Sequence, residues 1–156
     1  MHSRFARWCL TLGLVAAWGA AGVAAGADWQ RRASMPVGNG GFVAAVLDGK
    51  IVIAGGTTWQ GETKRWLDEI WAYDPEADRW RSAGRLPTAL AYPAFGFEGG
   101  SLWWSGGSAG GAALPGLWRL GPGLRPELVA SGAGGRVYAA GGVAAGRLWV
   151  VGGTDD

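Results

Sequence analysis

The run KIVIAGGTTWQGETKRWLDEIWAYDPEADRWRSAGRLP, residues 50–87, decides how the whole chain is read. Its first apolar stretch, Ile51-Val52-Ile53-Ala54, stops on Gly55-Gly56. A polar loop with two tryptophans follows. The second apolar stretch, Ile70-Trp71-Ala72-Tyr73, stops on Asp74-Pro75, and Trp80 and Leu86-Pro87 close the unit. Apolar runs this short, cut this finely by Gly, Asp and Pro, are too short for helices and predict strands.

The unit recurs along the chain. Trp29 and Trp80, Pro36 and Pro87, and Gly55 and Gly106 are each 51 positions apart, and Gly106 and Gly152 are 46 apart. A period near 50 with strand signals inside it predicts one propeller blade per repeat. The repeats fall at about 37–87, 88–133 and 134–156, the last incomplete. Strands are predicted at 42–47, 51–54, 69–73 and 79–83 in the first. The second has 92–97, 101–105, 116–120 and 127–130, and the third has 137–140 and 147–151, with a Gly/Ala loop between. Asp48-Gly49 lies between two apolar runs, where a tight hairpin needs two residues at positive φ. Between the second and third strands, the loop of the second repeat is four residues shorter than that of the first. Residues 28–36, DWQRRASMP, match 78–87 and predict an N-terminal clasp strand.

The first 27 residues read differently. Arg4 and Arg7 precede an apolar stretch from Trp8 to Ala24 that ends in Ala25-Gly26-Ala27. That is the pattern of a signal peptide, 1–27, cleaved to leave Asp28 first and a propeller segment at 28–156. An uncleaved anchor is the competing reading. Export places the chain in the periplasm or outside the cell, with no stable membrane insertion after cleavage.

From Asp28 onward the chain carries 12 Lys+Arg and 12 Asp+Glu. An even balance gives no basic surface for nucleic acid. This part has neither Cys nor His, since Cys9 and His2 lie in the leader. A Ser-His-Asp triad, a Cys-His pair and a His- or Cys-based metal site are therefore excluded within it. No metal and no cofactor are expected. Nine tryptophans remain, and Trp71, Trp80 and Trp118 read as packing between blades, Trp80 as largely buried there.

The repeat marks resemble those of the kelch-repeat family of β-propellers, which share the galactose oxidase-like fold. They are Gly55-Gly56, Trp71, Tyr73-Asp74, Trp80 and Leu86-Pro87, then Gly106-Gly107 and Trp118, then Gly152-Gly153. Within that family, residues 55–74 are similar to the exported bacterial sialic-acid mutarotases, the N-acetylneuraminate epimerase-like and cyclically permuted mutarotase proteins. The copper chemistry of the galactose-oxidase branch does not carry over, because its His and Cys are missing. The fold implied is all-β: a partial propeller of about two and a half four-stranded blades plus the clasp strand. Closing a ring takes roughly 4–8 blades, so the segment needs further blades, or further copies of itself.

One stretch has a functional look. The loop 57–68 gathers Trp59, Glu62, Lys64, Arg65, Trp66 and Asp68. An aromatic face beside charged hydrogen-bonding groups suits a sugar, whose rings are apolar and whose rims are polar; Arg can also hold a carboxylate bidentately. Trp59, Glu62, Lys64, Arg65 and Trp66 are the candidate ligand-binding residues, and no catalytic residue is assigned. An ordinary solvated loop is the competing reading. Two functions stay open: a module that binds a carbohydrate or another protein, and a mutarotase or epimerase acting on N-acetylneuraminate or a related sugar. The latter would use an acid/base pair such as a Glu and an Arg-supported carboxylate.

Overall fold

A computed structural model describes residues 28–132 and 134–155. The chain divides into Met1–Arg31 and Arg32–Asp156. Of the first unit only residues 28–31 are described, and they form no regular element. The expected signal segment, 1–27, lies outside the described residues.

The second unit is all-β. Strands β1 (Val43–Leu47), β2 (Lys50–Ala54), β5 (Glu69–Asp74) and β6 (Arg79–Arg85) form one antiparallel sheet in the order β1-β2-β5-β6. Between β2 and β5 stands a separate hairpin of β3 (Thr57–Gln60) and β4 (Thr63–Trp66). The second four-stranded sheet runs β7 (Ala94–Glu98), β8 (Ser101–Ser105), β9 (Leu117–Leu120) and β10 (Pro126–Ala130). A third sheet pairs β11 (Val137–Ala144) with β12 (Arg147–Thr154). These are two full blades and the first two strands of another, an open and partial propeller. No helix among the described residues is long and apolar enough to cross a membrane.

Local chemistry accounts for the strand ends. Asp48 and Gly49 take φ of 48° and 71°, the double positive turn that their sequence requires. The register that follows sets Val43 opposite Ala54 and Leu47 opposite Lys50. Alternation then sends Val43, Leu47, Val52, Ala54, Ile70 and Ala72 inward, where they meet Leu102, Trp104 and Leu120 of the second blade in one core. Each fully buried aliphatic side chain contributes about 1.5–3 kcal/mol.

Four sequence expectations are corrected by the fold. The loop 57–68 is a β-hairpin over most of its length, with Thr57 opposite Trp66 and Trp59 opposite Lys64. The expected Gly/Ala loop after residue 140 is strand, since β11 runs through Gly141-Gly142 to Ala144. Gly141 belongs there because β11 lies against β7 backbone to backbone: a Cβ on it would collide with the Phe95 backbone, and one on Gly96 would stand 2.6 Å from the Val143 nitrogen, whereas Gly142 faces open space. Trp80 is half-buried rather than enclosed between blades. Its ring rests on Tyr73 of the same sheet, centroids 5.1 Å apart, and its indole N–H donates to the Ala33 carbonyl at 3.0 Å. Finally, residues 28–36 enter no sheet ladder among the described residues. Residues 32–36 are held beside β6 through Ala33, whose N–H donates to the Asp78 carboxylate at 2.9 Å.

That tether makes the blade edge sensitive to acid. The Ala33 N–H and then the Tyr73 hydroxyl hold the Asp78 carboxyl below the usual carboxylate range. At Asp74, the Lys50 ammonium at 3.0 Å and then the Ala77 N–H act the same way. A carboxyl depressed in the folded state contributes stability above its unfolded pKa of about 4, and loses it as pH falls through the folded value. Thermal unfolding followed from pH 6 down to pH 2 is therefore expected to show a falling midpoint that flattens in the double variant Asp74→Asn, Asp78→Asn. An equally steep fall in that variant would remove both carboxyls from the account.

Candidate functional site

The Gly-Gly pair at the end of each second strand builds the inner rim. The N–H of Gly56 donates to the Leu90 carbonyl at 2.6 Å, and the N–H of Gly107 donates to the Arg136 carbonyl at 2.8 Å. Each pair thus holds the connector that leads into the next blade. Where those connectors become first strands, equivalent residues meet in a line. The Tyr92 N–H donates to the Gly41 carbonyl at 2.8 Å, and the Tyr138 N–H to the Tyr92 carbonyl at 3.0 Å. All three residues have positive φ, 72° at Gly41 and 59° at both tyrosines. Non-glycine residues rarely adopt that conformation, and here it directs each ring back over the preceding blade. Tyr138 lies over Tyr92 with centroids 4.7 Å apart. Tyr92 lies over Gly41, where a Cβ would collide with its ring.

The β3–β4 hairpin leans over this line. Alternation puts Thr57, Trp59, Lys64 and Trp66 on one face and Thr58 and Arg65 on the other. The Lys64 ammonium stands 4.8 Å from the Tyr92 ring centroid and 5.2 Å from that of Trp66, within cation–π range. Trp66 settles against Gly110 in the short loop of the second blade, which is turned by Ser108: its hydroxyl accepts from the N–H groups of Gly110 and Gly111.

Tyr92 is the hinge of the site. Its hydroxyl lies 3.0 Å from Thr57 Oγ1, which also lies 3.2 Å from the Gly40 carbonyl. The Thr57 hydroxyl has one proton for these two oxygens, and given to Tyr92 it stabilises the phenolate. With the Lys64 ammonium acting in the same sense, the Tyr92 pKa is lowered, against the opposing effect of desolvation. Cavities open on either side of the ring. One, about 470 Å³, is lined by Asn39, Thr57, Trp59 and Tyr92. The other, about 200 Å³, is lined by Trp66, Tyr92, Ser108 and Tyr138. No carboxylate lines either one.

The five candidate residues fall into two overlapping groups and one outlier. Lys64 and Trp66 reach the axial line, and Trp59, 65% exposed, borders the larger cavity. Arg65 turns to the opposite face, where it donates to the Gln60 side chain at 2.8 Å and lines a polar cleft together with Trp59, Trp66, Asp68 and Arg85. Glu62 stands exposed in the hairpin turn. The loop reading missed Thr57, Tyr92 and Tyr138. A signal for the tyrosines was present, since Tyr92 and Tyr138 sit one repeat apart and Gly41 one repeat earlier.

Residues 39–87 match the model of the Kelch motif. Kelch-like protein 15 of Danio rerio is 39% identical over 65 residues, covering 40% of this chain and 10% of that protein. The Mus musculus and Homo sapiens proteins of the same name are 36% identical over 65 residues, again 40% of this chain and 10% of theirs. The chain thus spans about a tenth of the length of the curated relatives it matches. The solved structure of YjhT superposes with a TM-score of 0.65 at 21% identity, over 76% of this chain and 45% of that one. The likeness in structure shows a shared propeller fold.

Proposed function

We propose that this chain is an exported kelch-repeat module that binds a carbohydrate at its axial mouth. The observation that carries the reading is the cluster at Tyr92: an ammonium held between two aromatic rings, with the exposed ring of Trp59 bordering the adjoining cavity. A sugar ring laid on Trp59 keeps its apolar face dry, while the Tyr92 hydroxyl borders the same cavity for hydrogen bonds to its hydroxyls. Export rests on the leader-like residues 1–27.

The mutarotase reading receives less support. Its acid/base pair would be a Glu and an Arg-supported carboxylate; Arg85 holds Asp68 at 2.7 Å beside Glu69 in the cleft that Arg65 lines, away from Tyr92, and Glu62 stands exposed in the hairpin turn. Binding without turnover is the better fit.

A glycan array followed by saturation-transfer NMR tests both readings. Saturable binding of a sugar is expected, weakened roughly tenfold by Trp59→Ala or Lys64→Ala, the loss of about one aromatic or charge contact. Glu62→Ala is expected to leave it unchanged. Failure of every glycan to bind would overturn the carbohydrate assignment, and accelerated anomer exchange of N-acetylneuraminate in the same samples would restore the enzyme reading.

A further inference from the structure

A further cavity lies away from the axial mouth and shares no lining residue with it. It opens between the connector after β6 and one face of the second blade, with a volume of about 210 Å³. Its floor is the cross-strand pair Trp104 and Trp118, whose rings lie 7° from parallel with centroids 6.2 Å apart. Leu86, Leu90, Leu114 and Pro115 form much of the remaining wall. Among the described residues, Thr88 contributes the one hydroxyl and no charged residue lines the space. Thr88 and Pro115 are exposed while Leu86 and Leu90 are buried, so the cavity has a mouth at the surface and a dry interior.

We infer that this cavity is a binding site for a small neutral aromatic molecule. An aliphatic-lined cavity of about 150 Å³ in another protein stays dry and accepts benzene. The space here holds one ring with a small substituent. The near-parallel indoles present a flat wall, which favours a planar guest in offset stacking over a globular aliphatic one. A charged guest is disfavoured, because its ion would lose water with no partner in the lining. The connector fixes the shape: the Leu90 carbonyl accepts from the Gly56 N–H, and the Leu90 N–H donates to the Leu67 carbonyl at 3.0 Å.

Toluene titrated into the full chain, with the tryptophan indole N–H signals read by NMR, tests the site. Saturable shifts confined to Trp104 and Trp118 are expected, with benzoate giving none and cyclohexane binding more weakly. Thr88→Trp fills the mouth from an exposed position, so the fold persists while toluene affinity falls roughly tenfold or more. Leu114→Phe occupies the interior and is expected to act in the same direction. Absence of saturation, or unchanged affinity in a folded Thr88→Trp variant, overturns the site. Cyclohexane binding as tightly as toluene overturns the aromatic assignment.

Discussion

Gly106→Ala is expected to destabilise the chain by about 3 kcal/mol or more, a large share of the 5–15 kcal/mol typical of a domain. Two costs combine. Gly106 has φ of 78°, where an L side chain loses about 1–2 kcal/mol. A Cβ there would also collide with the backbone of Arg136, its carbonyl oxygen and nitrogen together. Backbone cannot step aside as a side-chain tip can, so the connector into the third sheet must move. Gly99→Ala is the control: φ is 60°, but the added methyl meets open space, so only the conformational cost of about 1–2 kcal/mol applies. Urea midpoints measure the difference. Equal losses in the two variants would show that the Gly-Gly step does not clamp one blade to the next.

Trp104→Ala is expected to cost about 3–5 kcal/mol, the usual range for an enclosed tryptophan. Trp80→Ala should cost less, about 2–3 kcal/mol, because that ring is only partly enclosed and packs on one sheet. Trp104 is 3% exposed and joins the core that the two blades share. Trp80 lies on an outer strand, covers Tyr73 and bonds to Ala33. Chemical denaturation of the two variants checks the order. A larger loss at Trp80 would place the critical inter-blade packing at the outer strand.

The contrast between those tryptophans marks what the one-dimensional pattern contains. Strand placement was legible because its causes are local. Gly, Asp-Gly and Asp-Pro break apolar runs wherever they stand, and the 51-residue spacing of Gly55 and Gly106 repeats the break. The all-β class, the blade plan and the position of the Gly-Gly rim follow from these residues and their immediate neighbours. That a tryptophan packs was legible too. Which surface it packs against was not, since the burial of Trp80 depends on a neighbour 47 positions away.

The candidate site was half legible for the same reason. Lys64 and Trp66 were singled out by their residue types, and Arg65 and Glu62 with them. Only pairing of β3 with β4 decides that adjacent residues point to opposite faces, so Lys64 meets Tyr92 while Arg65 turns away. Tyr92 lies 28 positions from Lys64 and begins another blade. Its left-handed backbone is set by the hydrogen bond to Gly41, and its lowered pKa by Thr57 and Lys64. The sequence by itself determined the strands, their repeat and the chemical types available at the mouth, because these depend on contacts a few residues long. Tertiary structure alone decided which of those groups converge, because convergence depends on how one blade is laid against the next.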